Sequence, residues 1–334
     1  MLSCDGADAW RNGNFPIAFG IAGWYLLSSM KRRKFIGLSA AAVSISAYSR
    51  AADAPAEKPI LTFGLITDVQ YADVDPEGER HYRESPGKLK LAVEWLATKN
   101  LPFTLHLGDF IDRDFKAFAT VLPLLDGLGH PVRHLMGNHD YTVAESEKGK
   151  IVTTLAMPHD YYRFSDSGVR FVMLDTNDRS VYKYPDGSEH DLECEAVFKK
   201  MAADKVLAAK PWNGGVSATQ LAWLEKELAD ADTSKERVIL CGHHPLLPAD
   251  AMQAWDGNEV LAVIDRHPCV KAYFNGHNHA GAEVVRNGVP YITFKSVLHE
   301  PGVNSFSAIH VYADRLQIEG NGREVSRVIP LGRA

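Results

Sequence analysis

The sequence predicts a mixed α/β sandwich, with sheets packed against each other and helices on the outside. Three observations predict it. Short apolar, β-branched runs recur along the chain and stop abruptly in polar or ionisable residues. Helical patterns separate the early runs, whereas the late runs cluster. The composition is that of a globular protein: 334 residues, 46% hydrophobic and 23% charged, within reach of one large α/β domain.

The runs expected to form buried strands are 61–67, 103–107, 132–136, 169–174, 238–241, 270–274, 290–294 and 307–312. Helical spacing appears over 89–98 and 115–128. Ser217-Ala218-Thr219-Gln220 has capping-box spacing ahead of Leu221, Leu224 and Leu228. A further helix is expected over 257–265, closed by His267-Pro268. The stretch 178–216 lacks strong periodicity and reads as a long functional loop. No internal repeat or low-complexity tract follows residue 55, so one domain is expected over 58–330.

Residues 1–54 read as an extension plus an export signal. Met30 precedes Lys31-Arg32-Arg33-Lys34-Phe35, then a short apolar, small-residue run, then Ala52-Asp53-Ala54 with small-x-small cleavage spacing. Adjacent arginines ahead of a short apolar region resemble a twin-arginine signal, which implies the twin-arginine export machinery as a partner and a periplasmic or secreted product. A basic region should open a signal, so Met30 is the expected start. The run is shorter than the about 20 apolar residues of a membrane span, and no stable membrane insertion of the mature chain is expected. The alternative is an anchor retained from the 1–29 segment.

The whole chain carries 36 basic and 42 acidic residues, net −6. Without residues 1–54 it carries 30 and 39, net −9. That field disfavours a nucleic-acid partner. Cys4, Cys194, Cys241 and Cys269 form no C-x-x-C pair, which excludes zinc fingers and thioredoxin-like sites. Buried thiols are expected.

The chemistry lies where the strands stop. Five strand exits read Thr67-Asp68-Val69-Gln70, Gly108-Asp109-Phe110-Ile111-Asp112, Gly137-Asn138-His139-Asp140, Gly242-His243-His244-Pro245 and Gly276-His277-Asn278-His279. Singly, each is a common turn. Jointly they deliver Asp, Asn, Gln and His to the carboxyl ends of strands, where α/β sheets collect ligands. A glycine precedes Asp109, Asn138, His243 and His277 and would permit tight turns.

In this order the motifs D-x-Q, G-D-x-x-D, G-N-H-D, G-H-H-P and G-H-N-H resemble the calcineurin-like metallophosphoesterase superfamily. Gln70 in place of the commoner histidine, Phe63-Gly64, Tyr82-Arg83 and Trp212-Asn213-Gly214-Gly215 are similar to its manganese-dependent ADP-ribose/CDP-alcohol diphosphatases. The resemblance implies a four-layer α/β/β/α fold, a β-sandwich flanked by helices. It implies one ion held by Asp68, Gln70, Asp109 and His279, and another by Asp109, Asn138, His243 and His277, with Asp109 bridging. Mn²⁺ is the expected metal, with Fe, Zn or Co as alternatives. Two cations about 3.5–4 Å apart would clamp a phosphoryl group and generate a bridging hydroxide for in-line attack.

The resemblance makes His139 and Asp140 catalytic: His139 faces the phosphate, and Asp140, or alternatively Asp112, accepts its other N–H. His243 is the expected ligand of the histidine doublet, with His244 as the alternative. Arg83 and Asn213 are expected substrate contacts, Arg83 for a second phosphate. Tyr182, Tyr184 and Trp212 could stack on a base, and Asn213-Gly214-Gly215 could offer N–H groups to a phosphate. His106, His134 and His310 lie in strand patterns and are expected to be structural. His81, His159, His190, His267 and His299 are expected in solvated loops. The implied substrates are small nucleotide-type molecules with a diphosphate linkage, such as ADP-ribose or CDP-alcohols. A phosphodiesterase or phosphomonoesterase acting on cyclic nucleotides or glycerophosphodiesters, and a metal-dependent binding protein without catalysis, are the competing readings.

Overall fold

The computed structural model describes residues 57–332; the expected export signal lies outside the described residues. The strands are β1 Leu61–Ile66, β2 Thr104–Leu107, β3 Val132–Leu135, β4 Tyr162–Asp166, β5 Val169–Met173 and β6 Arg237–Cys241. They continue as β7 Val270–Asn275, β8 Ala282–Arg286, β9 Val289–Thr293, β10 Ser305–Val311, β11 Arg315–Gly322 and β12 Arg327–Pro330. Two six-stranded sheets result, ordered β12-β11-β10-β1-β2-β3 and β4-β5-β6-β7-β9-β8. Strands β1, β2 and β3 run parallel, as do β5, β6, β7 and β9.

Alternation along the strands builds the layers. Phe63 of β1 meets Phe171 of β5 edge-on at 5.1 Å between ring centroids, and Phe103 meets the same ring at 5.2 Å. These contacts form the core between the sheets. Each buried phenylalanine contributes roughly 1.5–3 kcal/mol through lost apolar surface. On the opposite face of β1, Gly64 leaves room for Leu96, whose Cδ2 lies 3.1 Å from where a Cβ would stand. Leu96 belongs to α1, Ser85–Ala97. On the outer face of the second sheet, Val172, Val238 and Leu240 pack with Leu224 and Leu228 of Ala218–Ser234 and with Val260 and Ile264 of Gly257–Arg266. Strands buried on both faces read as continuous apolar runs, so the eight expected ones form.

The unexpected elements share one property, exposure. Strands β4, β8 and β12 are sheet edges and β11 lies next to one; β4 and β8 bury few side chains. The 178–216 stretch contains the helix Glu189–Ala203, numbered α2, which buries only Asp191 and Cys194 and so carries no apolar stripe. The helix expected over 115–128 is instead a single α turn, Phe118–Val121, between 3₁₀ segments. Pro123 lacks the N–H that would continue the α ladder. Ser217 does cap Ala218–Ser234, numbered α3, its hydroxyl accepting from the Gln220 N–H at 3.2 Å. The Gln220 side chain, however, bonds both backbone groups of Asp175, so the box is half made. Cys194, Cys241 and Cys269 are buried free thiols.

Candidate metal centre

Parallel strands put their carboxyl ends at one end of the sandwich, and five loops meet there. The loops after β1 and β2 are laced together by Asp68 N–H to Gly108 O at 3.1 Å and Gln70 N–H to Asp109 O at 2.9 Å. The Gly276 N–H donates to His243 O at 3.1 Å, joining the loops after β6 and β7. The His277 N–H, 3.3 Å from both Asp68 carboxylate oxygens, ties the two sheets to each other.

The side chains that converge are the ones the strand exits supply. Asp109, His243 and His277 form one group able to hold a cation, and Asp68, Asp109 and His279 a second, with Asp109 common to both. Asn138 Oδ1 lies 3.2 Å from His243 Nε2 and 3.0 Å from His277 Nδ1, inside the first group. Gln70 Nε2 lies 2.7 Å from Asp109 Oδ2 and 3.1 Å from His279 Nε2, inside the second. All seven are buried.

Backbone strain accompanies this convergence. Asp68, Gln70, Asp109 and His277 all have positive φ, between 42° and 66°. Such residues cost free energy and persist where the surroundings over-determine them, as at functional sites. Glycines in the same loops serve close approach. A Cβ on Gly137 would stand 2.1 Å from Asp109 Oδ1, and one on Gly276 2.4 Å from Asp68 Oδ2.

The donor set fits divalent cations. Burial leaves Gln70 Oε1 and Asn138 Nδ2 without a hydrogen-bond partner, a costly state. A half-turn of the Gln70 amide, whose O and N ends are hard to distinguish, would aim its oxygen into the group. Burial opposes charge on Asp109, but the adjacent imidazoles of His243 and His139 outweigh it and hold the carboxyl well below its usual range. Burial likewise opposes charge on His243, yet Asp109 raises it to about 9. That shared proton is what a cation would displace. Burial lowers His277 and His279, keeping them neutral. Mixed oxygen and imidazole donors without thiolate suit Mn²⁺ among other first-row ions.

His243, rather than His244, faces the cluster. His244 turns away, Nδ1 2.8 Å from Thr176 Oγ1 and Nε2 3.2 Å from Trp212 O. His139 borders the centre, with its backbone N–H donating to Asp109 Oδ1 at 2.8 Å. Its partner is Asp112, with Nδ1 3.0 Å from Oδ2. Burial opposes the imidazolium, but Asp112 and Asp109 outweigh it and raise the His139 pKa. Asp140 serves differently from the expectation. Its carboxylate accepts from the N–H groups of Asp109, Phe110, Ile111 and Gly137 at 2.8–3.1 Å, organising two ligand loops.

The residues expected to contact substrate have partners within the protein. Arg83 is half-exposed and engaged by Asp73, at 2.6 Å, and Asp75. Arg80 is the arginine that reaches the centre, Nη1 lying 3.3 Å from His139 Nε2; the Arg80-His81-Tyr82-Arg83 spacing alone could not rank the two. Asn213 is buried, with Oδ1 2.9 Å from His277 Nε2 and Nδ2 bonded to Ala208 O and Ala251 O, so it steadies a site histidine. Tyr182 is a core residue donating to Asn177 Oδ1, and Gly215 exchanges both backbone bonds with Arg179; both groups are engaged within the protein. His106 and His134 are buried in adjacent strands as expected. His267 is buried between Asp232 and Glu225, and His299 bonds His279, so neither is a solvated loop residue.

Comparison with known proteins agrees with this geometry. The profile of the calcineurin-like phosphoesterase family matches residues 61–281. A manganese-dependent ADP-ribose/CDP-alcohol diphosphatase from Oryza sativa subsp. japonica is 35% identical over 306 residues, 81% of this chain and 94% of the relative. The human protein of that name is 31% identical over 81% of this chain and 92% of its own. Among solved structures, a dimetal phosphatase from Danio rerio superposes with a TM-score of 0.75 at 28% identity, covering 82% of this chain and all of the other. With the sandwich, the shared carboxylate and the two ligand groups already in place, the chain belongs to the calcineurin-like phosphoesterase family of metal-dependent hydrolases.

Proposed function

We propose that this hydrolase cleaves the diphosphate linkage of small nucleotide-type molecules of the ADP-ribose and CDP-alcohol class. The observation that carries it is Asp109 shared by two buried ligand groups, with His139 and Arg80 at their margin. The names of the relatives support the substrate class. One ion would be held by Asp68, Gln70, Asp109 and His279, the other by Asp109, Asn138, His243 and His277. Bound there, two divalent ions supply Lewis-acid polarisation of a phosphoryl group and a nucleophile from water at neutral pH.

The chain's own residues do the rest. In hydrolysis, a water oxygen gives up a proton to solvent and bonds to one phosphorus, the bridging P–O bond breaks, and the departing phosphate oxygen takes a proton. His139, its imidazolium favoured by Asp112 and opposed by Arg80, would donate that proton from Nε2 once the departing phosphate draws the Arg80 N–H away from that nitrogen. Arg80, beside the same nitrogen, compensates charge on the departing phosphate. Asp140 holds the loops that aim Asp109 and Asn138.

The test joins metal analysis to a substrate screen. Wild type should retain about two Mn²⁺ per chain, and Asp109→Asn should lose both. The manganese-loaded enzyme should hydrolyse ADP-ribose or a CDP-alcohol faster than cyclic nucleotides, glycerophosphodiesters or monoesters. A preference for diesters or monoesters would replace this substrate class.

We also propose that the protein is exported by the twin-arginine route. Arg32-Arg33, the short apolar run after them and Ala52-Asp53-Ala54 support this reading. No helix among the described residues is long and apolar enough to cross a membrane.

A further inference from the structure

Each histidine of the centre has a partner on the ring nitrogen that faces away from the cluster. His243 Nδ1 meets Leu107 O at 2.8 Å, and His277 Nε2 meets Asn213 Oδ1 at 2.9 Å. A carbonyl and an amide oxygen only accept, so they fix the proton on that nitrogen and leave the other free for a cation. His279 differs. Its Nε2 faces Asp68 Oδ1 at 3.3 Å, and its Nδ1 lies 2.8 Å from His299 Nε2. An imidazole nitrogen accepts only when the ring's proton sits on its other nitrogen. His299 Nδ1 points at Glu79 Oε2, 3.3 Å away, which favours that tautomer.

The segment carrying His299 is held firmly for a loop. Lys88 of α1 donates to the carbonyls of Val297, Leu298 and His299 at 3.0–3.3 Å. The same segment bonds the first ligand loop, Val297 N–H to Thr67 O and Leu298 N–H to Asp68 O, both at 3.1 Å. The His299 ring stands edge-on to His279, 4.6 Å between centroids at 81°. Glu79 is largely exposed, so the weight of the chain falls on the His299–His279 bond.

We propose that His299 is a positioning residue that sets the tautomer and ring orientation of His279, and through it the affinity of the ion held by Asp68, Gln70, Asp109 and His279 alone. The inference rests on the two-ion reading of the site. Removing the outer partner of a metal-bound histidine typically weakens binding 10–100-fold, and here the second ion provides an internal control.

The experiment is Mn²⁺ titration of the full chain, followed by calorimetry and by electron paramagnetic resonance, on wild type, His299→Phe and His299→Gln, with His279→Ala as the reference for that ion. Phenylalanine keeps bulk without an acceptor; glutamine restores an acceptor oxygen. His299→Phe should weaken one ion by about 10–100-fold, the same ion that His279→Ala loses, and leave the other within about threefold. His299→Gln should recover most of the loss. Equal weakening of both ions, no weakening, or no rescue by glutamine overturns the inference while the two-ion reading stands. A wild type binding fewer than two ions overturns both.

Discussion

His139 sits between a carboxylate and a guanidinium: Nδ1 lies 3.0 Å from Asp112 Oδ2, and Nε2 lies 3.3 Å from Arg80 Nη1. The carboxylate behind the ring favours the imidazolium and fixes which nitrogen faces outward. The arginine marks where negative charge is to be met. Asp112 is itself held by the Thr142 hydroxyl at 2.9 Å, so the ring has a steady base.

A proton donor that is not a metal ligand gives a separable signature. His139→Ala should lower kcat by roughly 10²–10⁴ with Mn²⁺ content unchanged. Asp112→Asn should lower kcat less and move the alkaline limb of activity to lower pH, because the carboxylate that raises the His139 pKa and keeps the donor protonated is gone. Metal loss parallel to activity loss in His139→Ala would make it a ligand.

Arg80 and Arg83 are separated by three positions and by opposite surroundings. Arg83 is paired on the surface with Asp73 and Asp75; Arg80 meets His139. Arg80→Ala should therefore lower kcat/KM for a diphosphate substrate by roughly 10²–10³, the effect of removing a charge-stabilising donor. The loss on an aryl phosphate ester with a good leaving group should be smaller. Arg83→Ala should leave kcat/KM within about twofold. Similar losses in the two variants would refute the assignment.

The two arginines show what the sequence discloses and what it withholds. Asp68, Asp109, Asn138, His243, His277 and His279 stand at strand exits, and strand exits are legible because doubly buried strands write continuous apolar runs. Arg80, His299 and Asn213 act through loops whose paths depend on distant partners. Lys88 on α1 fixes where His299 lies, and Asn213 meets a histidine 64 positions away. Asp140 shows a different limit. Its place in G-N-H-D is plain, yet four backbone N–H groups claim it, and backbone donors leave no trace in side-chain identity. In the fold, α2 and the edge strands were hidden for the complementary reason: a segment that buries little has no periodicity to display.

The proposed export would depend on chemistry ahead of the domain. Arg32→Lys combined with Arg33→Lys should leave the precursor in the cytoplasm while wild type reaches the periplasm, as read by cell fractionation and the length of the mature chain. Equal export of both, or wild type confined to the cytoplasm, would remove the twin-arginine reading.

The buried pair His106 and His134, on adjacent strands beneath the metal centre, makes stability depend on pH. Their Nδ1 atoms are 3.3 Å apart, a contact that requires at least one neutral ring. Burial lowers the His134 pKa to about 4 from an ordinary 6.5. Between those values the unfolded chain binds a proton that the folded chain refuses, so stability falls as pH drops from about 6.5 towards 4 and is regained as pH rises. By pH 5 the linkage amounts to about 2 kcal/mol for this group. Urea unfolding at pH 7 and pH 5 on wild type and His134→Phe measures it. The variant cannot take up that proton, so its stability should change less between the two pH values, by about that amount, whatever its absolute stability. Equal pH dependence in the two proteins would show that His134 titrates normally in the folded state.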